Sequence, residues 1–145
     1  MREILFRAKV KDKDELIGKG FPIDENGNPI SEWVYGVSTP IPGYPDLFTA
    51  WNEFNGEYEE ITVITDTIGQ YTGLTDKNGL TKIFEGDVIK HNGENFIVYW
   101  NEKCAGFYPL YDQDNPIGYG VIGEESEVIG NIFDNHELLE VEGHE

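Results

Sequence analysis

Cysteine is almost absent from this chain, and so is any long apolar run. Cys104 is the only cysteine among the 145 residues, which excludes an internal disulfide and a zinc site built from several cysteines. No apolar stretch is long enough to cross a bilayer, and the N-terminal residues lack an apolar core of signal-peptide length. The sequence therefore predicts a cytoplasmic protein with no membrane partner.

Positive charge is also scarce. The chain has 28 Asp and Glu residues against 10 Lys and Arg, a formal net charge of -18. Most of the basic residues lie near the N-terminus, and none lies between Gly20 and Asp76. Because affinity for nucleic acids comes largely from Lys and Arg, we expect no direct nucleic-acid partner.

Patterns typical of catalytic or ligand-binding sites are missing as well. The three histidines have no metal-ligand spacing: His91, His136 and His144. No serine lies in a nucleophile-elbow motif. Cys104, beside Lys103, is more typical of a small buried side chain than of a nucleophile. The sequence predicts that the protein is not an enzyme, with no catalytic residues, no cofactor and no metal.

Two acidic, glycine-containing stretches are the strongest alternatives to that prediction. They are residues 76–79 (DKNG) and residues 85–87 (EGD). Asn and Gly tolerate positive φ, and an Asp side chain accepts backbone hydrogen bonds, so both stretches are typical of tight turns. Convergence of Asp76, Glu85 and Asp87 on a cation is the competing interpretation, since hard cations prefer several oxygen ligands. We favour turns.

The hydrophobic pattern is mostly that of short β-strands. In residues 4–10, for example, positions 4, 6, 8 and 10 are apolar while positions 7 and 9 are basic. Residues 11–15 are polar and predict a solvated turn. In contrast, Leu47, Trp51 and Phe54 fall at helical spacing after Pro45, which predicts a short helix near residues 45–55. A closing helical turn is expected at residues 135–139.

These elements predict a mainly β fold, with a minor α+β character from one or two short helices. Residues 71–139 have the length and strand spacing of a small SH3-like barrel. Residues 1–70 would form a β-rich N-terminal part that carries the short helix near 45–55. Residues 140–145 form an acidic tail.

Aromatic residues are concentrated in the segment that lacks positive charge. Core packing accounts for many of them, but an exposed remainder would mark a protein-binding or self-association patch, since Trp and Tyr anchor interfaces. The predicted protein-binding residues are Trp33, Tyr35, Tyr44, Trp51 and Tyr58.

Three separated blocks of the sequence resemble the YopX family, which is found mainly in phages and prophages. They are REILFRAKVKD at residues 2–12, QYTGLTDKNGLTKIFEGDVIK at 70–90 and EVIGNIFDNHELL at 127–139. The resemblance implies a phage-linked origin and a mostly β fold, and it supplies no catalytic or binding residues. Lys9 departs from the aromatic residue common in the family, and residues 22–56 show no family pattern.

Two functions of different classes follow. The first is a phage accessory protein of the host-cell cytoplasm that is not catalytic and acts by protein binding or self-association. Its partner would be an unknown host or phage protein, or a second copy in a homo-oligomer. The alternative, motivated by the net charge of -18, is an acidic nucleic-acid mimic that blocks a host DNA-binding protein. An enzyme using Glu85, Asp87 or Cys104 has no supporting motif.

Overall fold

Antiparallel β-strands make up most of the structure, so the prediction of a mainly β fold is confirmed. The computed structural model describes residues 4–101, 106–110 and 126–139. The chain divides into two compact units, the first of residues 4–70 and the second beginning at Tyr71. Cys104, His144 and the acidic tail lie outside the described residues.

The N-terminal unit contains one helix, one 3₁₀ turn and two pairs of strands, followed by the start of a fifth strand. These elements are β1 (Phe6–Lys9), α1 (Lys13–Gly18), β2 (Trp33–Gly36), β3 (Leu47–Asn52), β4 (Glu57–Thr62), the 3₁₀ turn Thr65–Thr67 and β5 (Gly69–Thr75). β1 pairs with β2 along its length and with the first residues of β5, while β3 and β4 form a hairpin.

The core of this unit lies between the β1–β2 sheet and the β3–β4 hairpin. Ala8 and Val34 bury their side chains from the sheet, and Phe48, Ala50 and Ile61 bury theirs from the hairpin. Every second residue of β3 is therefore buried and the residues between them face outward. This alternation decides which aromatic side chains remain exposed.

The predicted helix near residues 45–55 is wrong. Leu47–Asn52 is strand β3, which pairs with β4 residue for residue from Leu47 opposite Thr62 to Asn52 opposite Glu57. The Asn55-Gly56 pair, interpreted as a helix stop, closes a hairpin turn in which Gly56 has φ +72°. Leu47, Trp51 and Phe54 fit a helical period by coincidence, since burial in this segment has a period of two.

The turn expected at residues 11–15 is also wrong, because α1 begins there. Asp12 caps the helix by accepting a hydrogen bond from the Asp14 backbone N at 2.9 Å. Leu16 packs into the core, and the Glu15 carboxylate accepts from the Thr62 backbone N at 2.9 Å. These contacts with distant residues, rather than an apolar stripe, hold a helix of six residues in place.

The C-terminal unit is also antiparallel. It contains the remainder of β5 and then β6 (Lys82–Phe84), β7 (Asp87–His91), β8 (Glu94–Asn101), β9 (Gly106–Leu110), β10 (Glu127–Asn131) and a 3₁₀ turn at His136–Leu139. β5 pairs with β6, and the other strands form a sheet in the order β10-β7-β8-β9. The core cluster of this unit contains Ile83 from β6 together with Ile89, Phe96 and Val98 from β7 and β8.

The predicted SH3-like barrel is not shown in this unit. Among the strands that the structure describes, no sheet closes on itself. The closing helical turn predicted at residues 135–139 is confirmed by the 3₁₀ turn at His136–Leu139. Within the described ranges, no helix has the length and apolar character needed to cross a membrane.

Candidate protein-binding surface

The tip of the β3–β4 hairpin is fixed by a buried asparagine. Asn52 is fully buried at the end of β3, and its side-chain Oδ1 accepts from the Phe54 backbone N at 3.0 Å. Its Nδ2 donates to the Gly20 carbonyl at 3.2 Å. Because one side chain joins the turn to the loop after α1, the tip has a defined position within the N-terminal unit.

Two aromatic side chains lie opposite each other on the outer face of this hairpin. Trp51 on β3 faces Tyr58 on β4, with ring centroids 4.9 Å apart and ring planes at 61°. Such edge-to-face cross-strand pairs stabilise a hairpin by about 0.5–1.5 kcal/mol. The pair is far from buried, since Trp51 remains 40% exposed and Tyr58 51% exposed.

A third aromatic side chain extends the pair into the turn. Phe54 is 77% exposed, which is unusual for a residue of this size and apolar character. We name the set of Trp51, Phe54 and Tyr58 the aromatic tip. The binding residues predicted from the sequence included Trp51 and Tyr58 but not Phe54. A hairpin interpretation, with Asn55-Gly56 as the turn, would have found it.

Carboxylates of the same hairpin lie near the aromatic tip, with Glu53 in the turn and Glu60 on the outer face of β4, while Glu57 and Glu59 lie on the opposite face. The hairpin carries four glutamates, Glu53, Glu57, Glu59 and Glu60, and no basic residue lies between Gly20 and Asp76. In the described part of the chain these four carboxylates make no ion pair. Lys19 donates to the Glu60 carbonyl, but its Nζ lies 3.2 Å from the Glu15 carboxylate, which offsets its charge. The tip is therefore an apolar surface in a negative field.

The remaining predicted binding residues lie elsewhere in the N-terminal unit. Trp33 and Tyr35 alternate with the core residue Val34, which places them on the outer face of the β1–β2 sheet. The Arg7 guanidinium lies 4.7 Å from the centre of the Trp33 ring, within the range of a cation–π contact. Tyr44 is exposed in the turn before β3. The structure thus brings Trp51 and Tyr58 together, while Trp33 and Tyr35 lie on the outer face of β2 and Tyr44 lies in a turn.

The DKNG stretch at residues 76–79 is a turn, as predicted. Gly79 has φ +73°, and its backbone N donates to the Asp76 carbonyl at 2.8 Å. The buried Asp76 carboxylate accepts from the backbone N of Asn78 and of Val128, each at 3.2 Å. This carboxylate therefore fastens the turn to β10.

The EGD stretch at residues 85–87 is a turn too. Gly86 has φ +91°, and Asp87 is buried with its carboxylate accepting from the Phe84 backbone N at 2.7 Å. This geometry confirms the prediction that Asp87 satisfies a backbone group freed by the bend. Within residues 4–101, 106–110 and 126–139, no three His, Cys, Asp or Glu side chains are grouped to hold a metal ion.

Comparison with known families covers nearly the whole chain. The family model described as YopX protein matches residues 5–140. The chain belongs to the YopX family. The match includes both acidic turns, and it also spans residues 22–56, where the sequence showed no family pattern. No curated protein matches the chain.

In this YopX-family protein, the acidic turns and the aromatic tip differ in what their side chains contact. Asp76 and Asp87 are buried and hydrogen-bonded to backbone groups, so they account for local structure. The side chains of the aromatic tip, in contrast, remain exposed even though Trp51 and Tyr58 contact each other. Exposed Trp, Phe and Tyr side chains on a fixed hairpin can bury apolar area against another surface.

Proposed function

We propose that this YopX-family protein is a phage accessory protein that is not catalytic and acts by binding another protein through the aromatic tip. The observation that carries the proposal is the joint exposure of Trp51, Phe54 and Tyr58 on one hairpin. Tryptophan and tyrosine dominate the energetics of interfaces, because they offer large contact areas at low entropic cost. The buried Asn52 supports the proposal, since a fixed loop binds with a smaller ordering cost than a mobile one.

A capture experiment tests this function. The tagged protein and its Trp51→Ala/Tyr58→Ala variant are incubated with lysate of the bacterial host, and bound proteins are identified and then purified for direct binding. Tyr44→Ala is the matched control, because Tyr44 is an exposed aromatic residue outside the tip. We expect a partner that binds the wild type and Tyr44→Ala but binds the tip variant at least about tenfold more weakly. Equal binding to all three proteins would refute a role for the tip.

Self-association is the second form of the same proposal. Here the partner is another copy of the chain, and the tip variant would shift the sedimentation coefficient of the wild type toward that of a monomer. If the wild type sediments as a monomer at all concentrations, the homo-oligomer is excluded and a host or phage protein remains as the partner.

The alternative function is that of a nucleic-acid mimic blocking a host DNA-binding protein. Its support is the net charge of -18, together with the glutamates of the hairpin. A mimic associates through long-range electrostatics, so its complex should weaken steeply between low and high salt. A complex held by the aromatic tip should weaken less with salt, and it should be lost in the Trp51→Ala/Tyr58→Ala variant, whereas a mimic complex does not depend on these two rings. The capture experiment at both salt concentrations therefore separates the two functions.

The predictions that the protein holds no metal and that residues 71–139 form an SH3-like barrel each need their own test. A thermal-shift panel with Mg²⁺, Ca²⁺, Mn²⁺ and Zn²⁺ addresses the non-catalytic assignment, because a cation bound to the native state raises the melting temperature. A rise abolished by Asp76→Asn or Asp87→Asn would reopen the metal-site interpretation.

The SH3-like barrel stays a prediction for residues 71–139. Backbone hydrogen bonds that close the sheet in an experimental structure would establish it.

A further inference from the structure

We propose that the occupant of the aromatic tip is a basic protein segment, whose Arg or Lys side chains contact the rings and the nearby glutamates together. This inference rests on the proposed function and specifies the chemistry of the partner. It is carried by the charge of the hairpin and by the exposure of the rings, which lie on the same element.

The first step concerns charge. Glu60 lies on the same face of β4 as Tyr58, two residues along the strand, and Glu53 follows Trp51 into the turn. In the described residues neither carboxylate has an ion-pair partner in the chain itself. Negative charges around an apolar patch select a positively charged partner and repel an acidic one.

The second step concerns the rings. An edge-to-face pair leaves ring faces open, as the 40% exposure of Trp51 and the 51% exposure of Tyr58 show. The face of an aromatic ring attracts a cation, and the planar guanidinium of Arg stacks on it particularly well. The contact between Arg7 and Trp33 in the same unit is an intramolecular example of this pairing.

The third step excludes other occupants. Nucleic acids and anionic lipid surfaces carry negative charge, which the glutamates of the tip repel. A second copy docking tip to tip would bring both sets of glutamates together. The exposed lysines in the described residues are Lys11, Lys13, Lys77, Lys82 and Lys90. Lys11 and Lys13 alternate with Asp12 and Asp14, and the other three are separated from one another along the sequence, so none of them presents a continuous basic segment to another copy.

A titration with defined peptides tests the inference. The probe is a short fluorescein-labelled peptide of alternating arginine and serine, and the control peptide alternates glutamate and serine. Binding is measured by fluorescence anisotropy at physiological salt for the wild type and for Glu53→Gln/Glu60→Gln. The matched control is Glu25→Gln/Glu32→Gln, which removes the same two charges at exposed positions outside the hairpin. Both variants have a net charge of -16, that is -18 plus two.

We expect the arginine peptide to bind the wild type and the control peptide not to bind. Glu53→Gln/Glu60→Gln should weaken the affinity about fivefold to tenfold, and Glu25→Gln/Glu32→Gln by less than about twofold. Trp51→Ala/Tyr58→Ala should weaken it by a similar factor of about five to ten, while Tyr44→Ala leaves it unchanged. Thermal unfolding of each variant confirms that it is folded. The variant Trp51→Phe/Tyr58→Phe keeps both ring faces and should therefore retain most of the affinity for the arginine peptide.

Equal weakening by the two glutamine variants would overturn the inference, because binding would then follow net charge alone. A tip-dependent dimer that fails to bind the arginine peptide would overturn it in favour of a second copy. If a captured partner depends on Trp51 and Tyr58 but the arginine peptide does not, the protein-binding function stands and the basic partner is refuted. If neither depends on these residues, both proposals fail.

Discussion

At the scale of single residues, the glycines and buried carboxylates of this protein are fixed by steric and hydrogen-bonding requirements. Gly36 on β2 lies directly against β3, and a Cβ built on it would come within 2.2 Å of the Thr49 carbonyl oxygen. Asp87 holds the bend after β6 through a hydrogen bond from a buried backbone N. Substitution of either residue should therefore lower the free energy of unfolding by a measurable amount.

Gly36→Ala should destabilise the protein by about 3 kcal/mol, because the added methyl group meets backbone rather than a movable side chain. The matched control is Gly18→Ala, since a Cβ at Gly18, the last residue of α1, has no atom within 4 Å. That variant should change stability by less than about 1 kcal/mol. Urea unfolding of both variants measures the difference, and equal losses would show that β2 and β3 do not approach so closely.

Asp87→Ala should cost about 1–3 kcal/mol, because it leaves the buried Phe84 backbone N without its carboxylate acceptor. Asp24 provides the comparison, since its carboxylate also accepts from turn backbone groups but is exposed to water. Asp24→Ala should therefore cost well under 1 kcal/mol. A loss for Asp87→Ala no larger than that for Asp24→Ala would contradict the structural role assigned to this acidic turn.

At the scale of elements, the hairpin shows where sequence reasoning succeeds and where it fails. Strand β1 could be predicted because apolar side chains at the even positions of residues 4–10 specify a buried face. The segment that became β3 could not, because Leu47, Trp51 and Phe54 also fit a helix. Pairing with β4 across the Asn55-Gly56 turn decides between the two.

The same limit applies to the candidate site. Aromatic enrichment between residues 33 and 58 was visible in the sequence, but exposure depends on which face of which strand each ring occupies. The pair of Trp51 and Tyr58 required the register of the hairpin, and Phe54 required its turn. The acidic turns were easier to predict, since Gly79 and Gly86 act through local backbone geometry.

Asn52→Ala tests whether the hairpin positions the aromatic tip. It removes the side chain that joins the turn to the Gly20 carbonyl, so stability should fall by about 1–3 kcal/mol. Asn55→Ala is the control, because Asn55 accepts only from the neighbouring Glu57 backbone N at an exposed position, and its loss should stay below about 1 kcal/mol. Chemical denaturation measures both. If the two losses are equal, Asn52 does not anchor the tip.

At the scale of the whole molecule, the net charge of -18 governs how stability responds to salt. Like charges repel more strongly in the compact folded state than in the extended unfolded chain, so repulsion lowers the free energy of unfolding. The ion pairs Lys19–Glu15 at 3.2 Å and Lys77–Glu127 at 3.5 Å are partly exposed and contribute little. Added salt should therefore weaken more repulsion than attraction.

We expect the melting temperature to rise by several degrees as KCl is raised from about 0.02 to about 0.5 M, because the Debye length falls from roughly 20 Å to about 4 Å. Glu25→Lys/Glu32→Lys changes the net charge to -14, that is -18 plus four, at exposed positions. Its melting temperature at low salt should exceed that of the wild type, and its gain with KCl should be smaller, since less repulsion remains to be screened. A melting temperature that falls with salt would mean instead that attractive pairs dominate, and the acidic surface would then stabilise the fold rather than strain it.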